Sequence, residues 1–201
     1  MSFGQNWSQE KRLWTVFGIN LLMVGALIVV GLLAHSLGVL AAGGDYIADA
    51  GAIAISLLAL RISRHPHGHP KATTYAALVN VLFMLSVTII VIYNSVHRLA
   101  NHVPQIDGLP VFIVSAIGAI VMIFSAYLLA NSKAKDLNMR AVLLDTTADA
   151  AFGAGVSIVG LIIFLTNRYY ILDPIIALVI AFVILYHALG LFSEVVKELK
   201  S

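Results

Sequence analysis

Apolar residues fill most of this chain in long stretches separated by short polar clusters, and each stretch is long enough for a helix to cross a hydrocarbon layer. Runs of at least roughly 18 such residues predict six helices, over about 13–34, 39–62, 75–97, 109–131, 141–166 and 171–194. The breaks between them are brief. His35-Ser36 makes a tight turn, Arg61 to Thr74 a basic loop with histidines, and His97 to Gly108 a loop containing Pro104. Asn131 to Arg140 forms a second basic loop, and Thr166 to Tyr170 a turn. Asp173 then reads as the N-cap of the sixth helix, with Pro174 in a first turn that needs no amide donor there. The polar start from Gln5 to Arg12 precedes a run too long for the apolar core of a cleaved leader, so the first helix is expected to be retained.

A mean hydropathy of +0.96 with only 11% charged residues lies outside the range of soluble domains. The fold class expected is all-α, a polytopic membrane protein with six transmembrane helices surrounded by lipid. Residues 1–12 form a short N-terminal segment and residues 13–200 one transmembrane domain. Of the 12 Lys and Arg residues, ten (Lys11, Arg12, Arg61, Arg64, Lys71, Lys133, Lys135, Arg140, Lys197 and Lys200) fall on the side that carries both termini, and two (Arg98 and Arg168) on the other. By the positive-inside bias the termini are cytoplasmic. Basic residues spread over loops in this way offer no concentrated surface for nucleic acid. The absence of cysteine excludes disulfides and thiolate metal sites.

Against that apolar background stand two acidic pairs, Asp45-x-x-x-Asp49 in the second predicted helix and Asp145-x-x-x-Asp149 in the fifth. A carboxylate in hydrocarbon costs at least a few kcal/mol unless it is protonated, paired or bound to a cation, so such residues mark a pathway or a site. The i, i+4 spacing sets both acids of each pair on one face, one turn apart. Counted from their own interfaces at about 1.5 Å per residue, the pairs lie roughly 9–15 Å and 6–12 Å deep, which in a layer roughly 30 Å thick brings them near the same level. Facing helices would then make a four-carboxylate cage. Four carboxylates cannot all stay ionised in an empty low-dielectric pocket, and a divalent cation needs them deprotonated, so metal and protons compete for the same groups. Small residues beside the acids, Ala41 to Gly44 and Ala150 to Gly155 among them, allow close helix approach, and seam and site are expected to coincide.

The six-helix layout, the two Asp-x-x-x-Asp pairs, His65-Pro66-His67-Gly68-His69-Pro70-Lys71 between the second and third helices, Asn80 early in the third and Leu172-Asp173-Pro174 at the sixth together resemble the cation diffusion facilitator family over about residues 13–200. The resemblance implies a homodimeric secondary transporter, not an enzyme, that exports a divalent metal from the cytoplasm in exchange for protons by alternating access. It implies a bacterial or archaeal inner or plasma membrane and no cofactor beyond the transported zinc or manganese and protons. Carried over by position, Asp45, Asp49, Asp145 and Asp149 match the family's tetrahedral transport site. The commonest zinc pattern in that family has histidine at one or both first positions, and an all-oxygen set tilts toward manganese, or toward iron or cobalt. Tetrahedral geometry still suits zinc. The resemblance implies a loop metal site at the cytoplasmic mouth, with His69 the best match beside His65 and His67, although Thr73 or Thr74 stands where the family has an acid; read by themselves, histidines two apart in such a turn are equally solvated loop residues. Dimer contacts are expected through the third and sixth helices. Family members usually continue into a cytoplasmic metal-sensing domain, whereas this chain stops at Ser201, either as a naturally short member or as a truncated one, so neither regulation by that domain nor its dimer contacts are expected of it.

His187, in the sixth helix, and His35 read as structural or interfacial. An intramembrane aspartyl protease would also place two acids on facing helices, but Gly43-Gly44-Asp45 matches its setting only in part and the Pro-Ala-Leu element is missing. A passive channel or a membrane scaffold has no discriminating motif here.

Overall fold

Six helices account for the regular structure of the computed structural model, which describes residues 9–62, 72–130 and 137–200. They are α1 (Gln9–Leu33), α2 (Leu37–Ile62), α3 (Ala72–Ala100), α4 (Gly108–Ala130), α5 (Leu137–Thr166) and α6 (Leu172–Lys200). All six predicted helices are present, most of them a few residues longer than the apolar runs. The extensions are polar turns that a helix can carry beyond the hydrocarbon. At the end of α6, for example, Lys197 and Lys200 sit favourably on the negative pole of the helix dipole, and Glu198 accepts a hydrogen bond from Thr74 Oγ1 on α3 at 3.2 Å.

Short connections make successive helices antiparallel, so α1 begins and α6 ends at one end of the bundle, here the terminal end. The tightest connection is the three-residue link from α1 to α2. His35 adopts φ 56°, its N–H bonds to the Leu32 carbonyl at 3.4 Å, and the Ser36 N–H reaches back to the Gly31 carbonyl at 3.0 Å. That is a left-handed C-cap of the Schellman type, and it reverses the chain while satisfying carbonyls that α1 would leave bare. Ser36 then caps α2, its Oγ accepting from the Val39 N–H at 3.1 Å.

The most extensive packing joins α4 to α5, α1 to α2 and α3 to α6, while α1 also meets α4 and α2 meets α5. The arrangement is a ring of α1, α2, α5 and α4 with the α3–α6 pair laid against α2. Met23 and Leu27 of α1, Tyr46 of α2, Met122 of α4 and Ile163 of α5 fill the interior. Leu22, Leu33, Phe83, Ile90, Leu165, Phe182 and Tyr186 point outward, exposed as lipid-facing side chains should be. Among the described residues, five helices are long and apolar enough to cross a membrane, and α2, at 26 residues, is of matching length. The chain is an integral membrane protein that crosses the bilayer several times.

Packing of α4 on α5 is close enough to bring backbones together. A Cβ on Gly160 would stand 2.6 Å from the Phe112 nitrogen, and one on Gly108 would meet the backbone of Phe164. Neither neighbour can rotate out of the way, because each is main chain. Gly160→Ala is therefore expected to destabilise the detergent-purified protein by about 1–3 kcal/mol, visible as a lower thermal unfolding midpoint, with Gly25→Ala, at a position open on all sides, unchanged.

Candidate functional site

A cavity of about 190 Å³ opens where α2, α3, α5 and α6 converge. Asp45 and Asp49 of α2 and Asp149 of α5 line it, with Ala48, Ala148, Asn80, Met84, Phe152, Ile184, His187 and Leu191. Asp45 and Asp149 are 8% and 5% exposed, and Asp49 is half-buried. Three of the four aspartates singled out in the sequence thus share one wall. The backbone of Asp145 lies in α5 one turn before Asp149, and its side chain falls outside the described residues, as do His65, His67 and His69 entirely. Among the described side chains, no three His, Asp or Glu residues are close enough to hold a metal between them in this conformation.

The space around the acids is lopsided. Asn80 and Leu191 carry the large cavity toward the terminal end of the bundle, whereas on the opposite side of Asp45 the pocket lined by Ala41, Gly44, Val87, Val91 and Ala181 measures only about 10 Å³. The larger space has the volume of about six waters and the smaller that of one at most. A hydrated ion fits only the first.

Neighbouring side chains fix the acid-bearing turns of α2. The Asn80 amide donates to the carbonyl of Ala48, one residue before Asp49, at 3.1 Å, and Gly51 lets the Asn80 side chain lie against the α2 backbone. The Tyr46 hydroxyl donates to the Gly118 carbonyl of α4 at 3.2 Å, pinning the opposite face of the same turn. Of the small residues beside the acids, Ala48 and Ala148 line the cavity, whereas Gly43 faces Leu27 of α1, Gly44 faces Val87 of α3, and Gly153 faces Ala119 of α4. Seam and site therefore coincide in part.

Residues 13–200 match the cation efflux transmembrane domain family. The chain belongs to this family, the cation diffusion facilitators. It is similar to zinc transporter ZitB of Yersinia pestis, 31% identical over 96% of this chain and 63% of that protein. It is also similar to the metal cation efflux system protein CzcD of Cupriavidus metallidurans (28% identical, 85% of this chain, 55% of that protein) and to the human proton-coupled zinc antiporter SLC30A2 (27%, 93% and 55%). The chain spans less than two thirds of the length of each of these relatives.

One polar cluster of this cation efflux protein escaped the sequence. Asp173, fully buried, does not cap its own helix as its position before Pro174 suggests; it lies within the first turn of α6 and its carboxylate caps α2 instead. Ser36 Oγ donates to it, and the N–H groups of Leu37 and Gly38 donate at 2.7 and 3.2 Å. Arg98, at the end of α3, approaches it to 4.0 Å and donates to the His35 carbonyl at 2.5 Å. An anion at a helix N-terminus is satisfied by free amides and by the helix dipole together. The result ties α1, α2, α3 and α6 at the end opposite the termini.

Proposed function

We propose that this chain forms the membrane-crossing transport unit of a divalent-metal exporter that exchanges its cation for protons by alternating access. The observation that carries the proposal is the set of aspartates from α2 and α5 on one cavity inside the bundle. Cation arrival displaces protons from these groups, and protonation from the other side displaces the cation. The family's metal transport role and the zinc named in the relatives' descriptions support the cargo class, with zinc as the first candidate and manganese favoured by the oxygen-only aspartate set.

With the terminal end cytoplasmic, as the ten basic residues there favour, the larger cavity faces the cytoplasm and the conformation is the one that loads metal for export. Two copies joined through α3 and α6 complete the proposed assembly. Protein reconstituted in vesicles with an entrapped metal-sensitive dye is expected to move zinc faster when the receiving side is the more acidic, since protons then leave that side as metal enters it. Equal rates at every pH gradient would remove proton exchange from the proposal.

A further inference from the structure

His187 lies on the same wall of α6 as Ile184 and Leu191, at i, i+3 and i+7 along one stripe, and shares the cavity with Asp45, Asp49 and Asp149. The imidazole is exposed rather than packed into the core, its ring meets only the flank of Tyr186 at 5.9 Å, and among the described residues it makes no hydrogen bond. A structural histidine in a membrane bundle would spend its nitrogens on a neighbouring helix. This one leaves a nitrogen available to the cavity.

Its depth suits a particular task. His187 is 15 residues from the start of α6 at Leu172, about 22 Å, and Asp49 is 12 residues from the start of α2 at Leu37, about 18 Å. The imidazole therefore stands about one turn closer to the terminal end than Asp49, on the side where the cavity is wide. The described donors are not gathered around one point, so His187 is not another corner of a finished cage. A cation entering with most of its water meets the imidazole on the way to the carboxylates.

We infer that His187 is a capture ligand that exchanges for one water of the incoming cation and supplies the nitrogen donor that the aspartate set lacks, which favours entry of zinc over manganese. Imidazole suits zinc, whereas manganese is held best by oxygen donors, so a histidine at the mouth of an all-carboxylate site discriminates before the site itself is reached. The inference rests on the transport reading above and assigns it a selectivity-determining residue.

The test compares initial rates of zinc and manganese uptake, over a range of metal concentrations, for vesicles carrying the parent, His187→Ala, His187→Gln and Asp149→Asn. His187→Ala is expected to raise the zinc KM about tenfold and to leave the zinc kcat and the manganese KM within about threefold of the parent. His187→Gln keeps the polarity and most of the volume but offers no imidazole nitrogen, so it shows the same split even where the alanine variant is poorly folded. Unchanged zinc kinetics in both variants would overturn the assignment, as would equal losses for the two metals. A parent that moves neither metal would overturn the transport reading and the assignment with it. A parent that transports while Asp149→Asn does not upholds the transport reading, and the zinc-to-manganese split in the two His187 variants then decides the assignment by itself.

Discussion

Asp149→Ala and Asp49→Ala are expected to slow metal uptake by reconstituted vesicles by roughly 100- to 5,000-fold while leaving the folded protein intact. Removing one partner from a buried charge interaction costs about 3–5 kcal/mol, and each 1.36 kcal/mol is about a factor of ten in rate or affinity. That cost falls on the cation-bound state, where the carboxylates face a divalent charge in low dielectric. Stability should respond differently. The two residues line a cavity rather than fill a packed seam, so the thermal unfolding midpoint without metal is expected to change far less than uptake does. Asp149→Asn, of the same shape, separates charge from volume and should lose uptake to a similar extent. Wild-type rates in the alanine variants would disconnect the cavity from transport.

The opposite pattern is expected at Asp173. Asp173→Ala strands the Ser36 hydroxyl, two amide donors of α2 and the Arg98 guanidinium in one event, and should destabilise the protein by about 3–5 kcal/mol. Arg98→Ala leaves the carboxylate with its three closer donors and should cost less, about 1–2 kcal/mol. Thermal or chemical unfolding in detergent, followed by circular dichroism, distinguishes the two. An unfolding midpoint unaffected by Asp173→Ala would show that α2 is capped by Ser36 alone. Because the cluster lies at the end of the bundle away from the large cavity, surviving Asp173→Ala protein should bind metal with close to parent affinity.

The contrast between these two sets of acids explains what the sequence could and could not disclose. Membrane helices were legible because hydrocarbon imposes one length on every run, and all six stand where the apolar stretches put them. Asp45, Asp49 and Asp149 were legible because acids are rare in such runs and the i, i+4 spacing fixes their face. Asp173 is equally acidic, yet its partners lie more than 130 residues earlier in the chain, and no local spacing connects Leu172-Asp173-Pro174 to the Ser36 turn. His187 was hidden for a related reason. A lone histidine in an apolar helix does not reveal its face until the helices around it are placed. The small residues near the acids were legible only in part, since composition shows that helices approach closely but not which ones, and Gly43, Gly44 and Gly153 face α1, α3 and α4 while Ala48 and Ala148 line the cavity.

The most direct test is calorimetric titration of zinc, manganese, iron and cobalt into the purified protein in buffers of different ionisation enthalpy, repeated with Asp45, Asp49, Asp145 and Asp149 all replaced by Asn. The parent is expected to bind a divalent cation with release of protons, seen as a binding heat that changes with the buffer, and the fourfold variant to lose both the binding and the proton release. Binding of equal affinity and equal proton release in the variant would place the cation site elsewhere in the molecule.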